Sequence, residues 1–396
     1  MKAVILAAGQ GTRMGPLTRN MPKVMLPIAN KPVLLHVLLS AREAGIKEFV
    51  LVVGYRADTV KKYFGDGSEM NISIKYAQQK KQLGTADAVR VAQEHVDGRF
   101  LVLNGDIIVS MQHIKNLVKH KSDVIMTAMH VENPSEFGVL EVSDDRVLRI
   151  IEKPKKPPTN LANAGIYVFP PSIFDAIRRT PLSTRNEYEI TDSLQLLIDD
   201  GVDVGYVTLS GNWLDIGRPW DLLDANEYLL SCLQPELKGE IEPLATLKGS
   251  VSAGEGTVIR NGAYIVGPVI IGRNCDIGPN CYIRPGTSIG DDVRIGNAVE
   301  IKNSIIMNGT HIGHLSYVGD SIIGERCNFG AGTKVANLRH DGRTIRVKLK
   351  GKLVDSGRRK LGTIMGDDVH TGINSMINAG AVVESGAMIS PGKFVK

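Results

Sequence analysis

Apolar residues from Val4 to Ala8 run straight into a turn, Gly9-Gln10-Gly11-Thr12-Arg13, whose residue types together suit an anion. Glycines let backbone N–H groups close on phosphate oxygens, and an arginine adds a forked, permanent cation. The spacing is neither that of the P-loop nor that of the dinucleotide fingerprint, so the turn by itself names no ligand. A second cation, Lys23, follows ten residues later inside Pro22-Lys23-Val24-Met25-Leu26-Pro27. A later apolar run, Phe100 to Leu103, ends at Asn104-Gly105-Asp106 and leaves a carboxylate at a strand end.

Such groups act together only if the chain positions them. Val4–Ala8 and Phe49–Val53 are short apolar runs of the kind that form buried parallel strands. Between them, Val33 to Ala44 has helical spacing, with Leu34, Leu35, Leu38 and Leu39 on one side and Gly45 as its stop. Thr85 to Glu94 reads as another helix before the Phe100 strand. The alternation predicts an α/β doubly wound sheet over residues 1–228, with ligands beyond the carboxyl ends of the strands. Both the glycine turn and Asp106 fall at that rim.

The pattern then changes. After a linker at 229–248, isoleucine occupies 259, 265, 271, 277, 283, 289, 295 and 301 without a break. A period of six fits neither a helix nor a two-sided strand. It fits a solenoid, here a left-handed parallel β-helix of hexapeptide repeats, with three short sides closing each coil and the isoleucines stacked inside. The register slips after Ile301, resumes at Ile306, Ile312 and Val318, slips again before Ile323, and returns at Ile377, Val383 and Ile389. The second domain is thus residues 249–396. An insertion at about 337–363 interrupts it, and the cysteine pair Cys275/Cys281 is a by-product of the repeat.

Composition supports this division. A chain of 396 residues, 43% hydrophobic but only 5% aromatic and with 42 glycines, suggests two domains with aliphatic cores and many turns. The insertion carries nine Lys/Arg against two acids, more than the whole chain's net charge of +5, so the remainder is weakly acidic. One local basic stretch does not make a nucleic-acid surface. It is either a solvated loop or an arm for an anionic ligand or a neighbouring subunit. The four cysteines lack metal or disulfide-framework spacing, and no apolar run reaches transmembrane length. A cytoplasmic protein with no membrane partner is expected.

The stretch from Leu6 through Lys23 resembles the opening of the sugar-1-phosphate nucleotidylyltransferase family. The resemblance continues in order through Gln78 with Leu83-Gly84-Thr85-Ala86, Asn104-Gly105-Asp106, Gly138-Val139-Leu140, Glu152-Lys153-Pro154, Asn163-Ala164-Gly165-Ile166-Tyr167 and Trp213-Leu214-Asp215-Ile216-Gly217. It implies that Leu6, Ala7, Ala8, Gly9, Gly11, Thr12, Gln78, Gly84 and Thr85 contact the nucleotide, and that Arg13 and Lys23 are catalytic cations. Gly138, Glu152, Lys153 and Asn163 would hold the sugar phosphate, and Asp106 and Asp215 would hold Mg²⁺. The chemistry suits these parts. A sugar-phosphate oxygen attacks the α-phosphorus of a nucleoside triphosphate and pyrophosphate leaves, so the difficulty is gathering polyanions and stabilising charge. Gly15 stands where family members often carry a bulkier residue, which implies a softer loop.

The second domain resembles the acetyltransferase half of the bacterial bifunctional N-acetylglucosamine-1-phosphate uridylyltransferases. The residues that carry the likeness are Arg284-Pro285-Gly286, Glu300-Ile301-Lys302, Gly313-His314-Leu315-Ser316-Tyr317-Val318-Gly319-Asp320 and Asn328-Phe329-Gly330-Ala331-Gly332-Thr333. The likeness is greatest to archaeal bifunctional relatives, which share a basic insertion ending near Gly357-Arg358-Arg359-Lys360-Leu361-Gly362. It implies that His314 is the base that deprotonates an amine attacking acetyl-CoA, oriented by Asp320 or a backbone carbonyl. Arg284, Lys302, Tyr317, Asn328 and Asn337 would bind the acceptor, an amino-sugar 1-phosphate. Coenzyme A would lie along the coils, with the basic segment available to its phosphates. The N-acetylated sugar phosphate would then meet UTP or dTTP in the first domain, and a homotrimer is expected. Three departures from the bacterial pattern bear on acceptor and coenzyme contacts: Leu338 replaces an aromatic, Ile373 replaces a polar residue, and Lys396 falls short of the bacterial tail.

Two rivals remain at this level. One is a glucose-1-phosphate thymidylyl- or uridylyltransferase, or a mannose-1-phosphate guanylyltransferase, with a purely structural β-helix; His314 and Lys302 argue against it. The other is a regulatory subunit of the same two folds, which need not keep Lys23, Asp106 and Asp215.

Overall fold

The computed structural model describes residues 1–209 and 213–396. The chain falls into two compact units, Met1–Gln10 with Val33–Asp215, and Gly11–Pro32 with Ile216–Lys396.

In the first unit, β1 (Lys2–Ala7), β2 (Glu48–Val53), β3 (Ser73–Gln78) and β4 (Phe100–Asn104) are parallel and lie in the order β3-β2-β1-β4. Helices α1 (Val33–Glu43), α2 (Ala57–Phe64) and α3 (Thr85–Arg90) alternate with them; the sequence pattern predicts α1 and α3 and leaves α2 unmarked. The buried stripe of α1 is Val33, Leu34, Val37, Leu38 and Ala41; Leu35 and Leu39 are only half-buried. The helix expected over Thr85–Glu94 ends at Arg90, and a separate 3-10 turn covers Gln93–His95.

The rest of this unit consists of β5 (Ile107–Ile108), α4 (Met111–Val118), β6 (Val124–His130), β7 (Gly138–Ser143), β8 (Arg146–Glu152), β9 (Leu161–Phe169), α5 (Ile173–Arg179), α6 (Ile190–Asp199), β10 (Val204–Thr208) and β11 (Leu214–Asp215). The main sheet continues past β4 as β9-β6-β10-β8-β7. Here it becomes mixed. β9 runs antiparallel to both β4 and β6, and β7 and β8 form a hairpin whose turn leaves no room for a crossover helix. The core between sheet and helices includes Val4, Val102, Phe100, Phe169, Phe174 and Leu194.

The second unit carries α7 (Asp221–Ser231) and a parallel β-helix whose three sheets have eight, eight and seven strands. Each side is only two to four residues long, and every strand pairs with one about a coil away, as Ile259 with Ile277 and Ile277 with Ile295. All eight periodic isoleucines, Ile259 to Ile301, are buried in one column-lined core. The register slips are shortened corners. Ile306 pairs with Ile289 and Ile323 with Ile306, each across 17 residues, so the inward column is kept although a corner loses a residue. The inward series also runs on through Phe329, Val335 and Met365, where no isoleucine marks it in the sequence. Cys275, Cys281 and Cys327 are buried in this core. Burial pushes the Cys275 thiol up to about 11 and the Cys281 thiol up to about 12. Among the described residues no helix is long and apolar enough to cross a membrane.

The insertion is an ordered hairpin. Its strands, β12 (Arg346–Leu349) and β13 (Lys352–Asp355), are antiparallel and close around Lys350-Gly351. Both turn residues have positive φ, 48° and 77°, the combination a type I′ hairpin turn requires. Alternation along β12 buries Val347 and Leu349 and exposes Arg346 and Lys348.

Candidate active sites

In the first unit, the ends of three parallel strands converge. Gly105 N–H donates to the Leu6 carbonyl (2.9 Å), while Tyr55 N–H (3.2 Å) and the Gln82 side-chain amide (2.8 Å) donate to the Ala8 carbonyl. The next anchor is Gly84, at φ 111°, where a Cβ would sit 2.6 Å from the Tyr188 nitrogen. Thr85 hydroxyl accepts from Ile190 N–H (2.9 Å), and Ala86 N–H donates to the Tyr188 carbonyl (2.9 Å), so this segment is locked to the start of α6. Gln78 ends β3 with its side chain exposed. Its neighbour Gln79 is buried and donates to Gly84 O (3.1 Å) and Asp87 Oδ2 (2.9 Å).

The two candidate metal carboxylates meet through a two-stranded ladder. β5 and β11 pair antiparallel, with Asp215 opposite Ile107 and Leu214 opposite Ile108. Asp106 immediately precedes Ile107, so the ladder brings it beside Asp215 although 109 positions separate them in sequence. Trp213 Nε1 donates to the Ala164 carbonyl (3.1 Å), and Asn104 fills the place a Cβ on Gly165 would take. Three separate sequence segments, 104–106, 163–165 and 213–215, are thereby tied together.

The sugar-phosphate candidates cluster as well. β7 and β8 pair Gly138 with Glu152. A Cβ on Gly138 would lie 3.0 Å from Glu152 Oε2 and 3.7 Å from Asn163 Cβ. Glu152 accepts from Thr191 hydroxyl (3.0 Å) and pairs with Arg185 (3.3 Å) and, more loosely, Lys153 (3.6 Å). Asn163 donates to the Tyr167 hydroxyl (2.6 Å) and accepts from Gly165 N–H (3.0 Å). Arg185 also pairs with the buried Glu189 (2.5 Å). Burial, reinforced by Glu189 and Glu152, holds the Asp192 carboxyl above the usual range.

In the second unit lies the loop that carries Thr12, Arg13 and Lys23. Gly11 adopts φ 70°, and a Cβ there would stand 2.6 Å from Lys23 Cβ, so the lysine stem passes where any side chain would be. Met14 N–H (2.9 Å) and the Thr18 hydroxyl (3.1 Å) close the turn onto the Gly11 carbonyl. The loop is pinned rather than soft, which corrects the expectation drawn from Gly15. Gly15 has φ 61° and ψ −134°, a conformation that favours glycine. Pro16 packs at Gly366, Asn20 donates to Asp367 (3.0 Å), and Asn30 donates to the Ile289 carbonyl (2.6 Å).

The coil residues form one polar network. Asp320, 2% exposed, accepts from Lys302 (3.1 Å), Asn303 (3.0 Å) and Asn337 (2.5 Å), and Asn337 also donates to the Tyr317 hydroxyl (3.0 Å). Burial pushes the Tyr317 hydroxyl up despite that bond. On the coil below, Arg284 pairs with Glu300 (2.9 Å), and Glu300 is the strand neighbour of Tyr317. His314 ends the preceding strand, exposed, at the corner that leads to Tyr317. Asp320 does not orient it. That carboxylate is committed to Lys302, Asn303 and Asn337, and among the described residues none hydrogen-bonds to the His314 ring. Asn328 lies beside His311 in the next coil, with its side chain exposed.

A family model for nucleotidyl transferases matches residues 2–231, and one for the GMPPB C-terminal domain matches residues 265–391. The bifunctional protein GlmU of Methanocaldococcus jannaschii is 43% identical over 390 residues, covering 98% of this chain and 93% of the relative. The bifunctional sugar-1-phosphate nucleotidylyltransferase/acetyltransferase of Sulfurisphaera tokodaii is 41% identical over 398 residues, covering 100% of this chain and 97% of the relative. The chain belongs to the bifunctional nucleotidylyltransferase/acetyltransferase family. Among solved structures, a Bacillus anthracis protein provisionally assigned as a glucose-1-phosphate thymidylyltransferase, and solved with sucrose, superposes with a TM-score of 0.53. It is 30% identical and covers 58% of this chain and 94% of its own.

For a member of this family, several contributors escaped the sequence reading. Arg185 and Thr191 bond to Glu152, Glu189 holds Arg185, and Asp192 feels both glutamates. The signal available was the run Glu187-Tyr188-Glu189-Ile190-Thr191-Asp192, three acids in six residues at the start of α6. Gln79 and Gln82, rather than Gln78, hold the backbone near Ala8 and Gly84. Asn303 completes the Asp320 network.

Proposed function

We propose that this chain acetylates glucosamine-1-phosphate or galactosamine-1-phosphate from acetyl-CoA, and then transfers a uridylyl group from UTP to the N-acetylated product with release of pyrophosphate. The coarser statement, a bifunctional nucleotidyltransferase/acetyltransferase, follows from family membership over nearly the whole chain. The observation that carries the finer reading is the buried network Lys302–Asp320–Asn337–Tyr317 beside His314. A β-helix serving only as a scaffold has no use for a fully engaged buried carboxylate at that corner.

In the transfer of the nucleotidyl group the nucleophile is already an anion, so no base is required. Arg13 and Lys23 bind the triphosphate and stabilise the charge that develops as pyrophosphate departs. Leu6, Ala7, Ala8, Gly9, Gly11 and Thr12 offer backbone to the nucleotide, and Gln78, Gly84 and Thr85 face its base and sugar. Glu152 binds a sugar hydroxyl and Lys153 the sugar phosphate, with Gly138 and Asn163 shaping the pocket. Asp106 and Asp215 fit Mg²⁺. Among the described residues no cluster of three or more His, Cys, Asp or Glu forms a closed cage, and Mg²⁺ takes one or two carboxylates with phosphate oxygens and water. Bound there, it would neutralise phosphate charge.

In acetyl transfer the amine must be neutral to attack the thioester carbonyl. His314 takes the proton as the C–N bond forms, and coenzyme A leaves as the C–S bond breaks. Arg284 and Lys302 bind the acceptor phosphate, and Tyr317, Asn328 and Asn337 contact its sugar. The exposed Ile373 and Leu338 suit contact with a second copy of the β-helix, in keeping with a homotrimer.

The test uses acetyl-CoA and either amino-sugar phosphate. Wild-type protein releases free thiol. His314→Ala abolishes this and leaves pyrophosphate release from UTP and N-acetylglucosamine-1-phosphate intact. A wild-type protein that releases no thiol with either amino sugar overturns the acetyl-transfer reading.

A further inference from the structure

The basic hairpin reaches the loop that carries Arg13. Lys350, at its tip, donates from Nζ to the Thr12 hydroxyl (2.5 Å), and Leu349 Cδ2 lies 3.7 Å from the place a Cβ on Gly15 would occupy. All of these residues belong to the second unit. We propose that Lys350 is a polyphosphate-binding residue of the nucleotidyl-transfer reaction, delivered to the Gly11–Arg13 turn by an insertion in the β-helix.

Three observations support this. First, the tip is built rather than loose. Ile345, Val347 and Leu349 are buried, Ile345 packs where Gly380 lacks a side chain, and the turn at Lys350-Gly351 has the tight two-residue geometry. A lysine on a rigid hairpin loses less freedom on binding than one on a mobile loop.

Second, the charge is available. Of the nine cations in the insertion, only Arg339 and Arg358 lie within ion-pair distance of a carboxylate among the described residues. Lys350 has a neutral hydroxyl as its partner, so an arriving anion displaces no salt bridge. Arg346 and Lys348 alternate outward behind it and extend the positive stripe.

Third, the partner hydroxyl belongs to the turn already assigned to phosphate. A cation bonded to Thr12 lies one residue from Arg13 in sequence, where a nucleoside triphosphate or pyrophosphate carries its greatest charge density. The same lysine could have served coenzyme A phosphates instead. Its bond to Thr12 favours the nucleotide.

The inference rests on the nucleotidyl-transfer reading, so the experiment keeps the two apart. Lys350→Ala is assayed for nucleotidyl transfer in both directions, for acetyl transfer, and for binding of inorganic pyrophosphate by calorimetry. Expected is about a tenfold rise in KM for the triphosphate and in Kd for pyrophosphate, the worth of one charge-assisted contact. Lys350→Arg recovers most of the loss, and thiol release from acetyl-CoA stays at the wild-type rate. An active variant with unchanged KM and Kd overturns the inference. So does a variant that loses acetyl transfer instead, because the hairpin then serves coenzyme A. If wild-type protein releases no pyrophosphate with any nucleotide, the nucleotidyl reading fails. Lys350 is then judged on pyrophosphate binding alone: equal affinity in wild type and Lys350→Ala refutes it.

Discussion

Lys302→Met tests whether the Asp320 network is held together by charge. Asp320 is almost fully buried, with a side chain 3% exposed, whereas that of Lys302 is 20% exposed. Removing one partner of a buried ion pair typically costs about 3–5 kcal/mol, because the other charge is left in a poor solvent. Here two amides, Asn303 (3.0 Å) and Asn337 (2.5 Å), continue to donate to the stranded carboxylate. The expected loss is therefore at or below the lower end of that range, about 2–3 kcal/mol. Asp320→Asn in the same background removes the stranded charge, so the double variant should lose about 1–2 kcal/mol less than the sum of the two single losses. The β-helix transition in denaturant, followed separately from that of the first unit, reads both quantities. Thiol release reports function in the same samples, and acceptor KM should rise in Lys302→Met even where the fold is intact. A Lys302→Met protein within about 0.5 kcal/mol of wild type, or strict additivity in the double variant, refutes the argument that this carboxylate depends on its lysine.

Gly84→Ala should destabilise the first unit by about 1–3 kcal/mol, from the strained φ and the clash with Tyr188, and should raise KM for the nucleotide; a wild-type thermal transition refutes this. Asp106→Asn and Asp215→Asn should each lower pyrophosphate release by about 100-fold or more and leave acetyl transfer untouched. Equal losses in both assays would mean that these carboxylates are structural. A thiol reagent should titrate Cys232 alone in native protein and four thiols in denaturant, since Cys275, Cys281 and Cys327 are buried. The raised folded-state values also set a sign. Between the ordinary thiol value of 9.0 and about 11, the unfolded chain gives up protons that the folded chain keeps, so the β-helix should lose stability as pH rises through that window. Alanine at all three buried cysteines should flatten that alkaline loss, and an unchanged pH profile refutes the assignment.

Periodicity made the β-helix legible because its core needs one inward aliphatic residue per side, and isoleucine fills eight sides in succession. Legibility failed where other residues do that work. Phe329, Val335 and Met365 continue the inward columns of the three sheets without announcing it, so only the outlying isoleucines marked the resumption. In the first unit three of the four parallel strands were visible as apolar runs; β3 (Ser73–Gln78) was not, because Ser73, Lys75 and Gln78 interrupt its apolar residues. The antiparallel continuation was not, because a strand's direction is fixed by its connection and not by its composition. Asp106 and Asp215 stand out only as motif fragments in the sequence. Their approach depends on a two-residue ladder, β5 with β11, too short to leave a pattern. Arg185 and Glu189 escaped for a related reason. Arg185 reaches Glu152 from a distant part of the chain and is itself held by Glu189, and no local spacing encodes that.

Gly9 and Gly11 look alike in sequence, yet only Gly11 is demanded by geometry, through its positive φ and the Lys23 stem against it. What orders the segment from Gly11 to Pro32 comes from residues hundreds of positions away. Asn226 is fully buried and makes three hydrogen bonds. It accepts from Ala29 N–H (2.8 Å) and Ser288 (2.9 Å) and donates to the Gly286 carbonyl (2.9 Å), which joins the loop, α7 and a coil. Asn20 on Asp367, Pro16 at Gly366 and Lys350 on Thr12 add three further points. A neutral hydrogen bond contributes only about 1 kcal/mol, so no single one of these holds the loop; it is held at several points at once. The segment that presents Arg13 and Lys23 is therefore built as part of the β-helix unit. Under the proposed nucleotidyl transfer, the β-helix unit would therefore supply the two cations as well as the acetyltransferase surface.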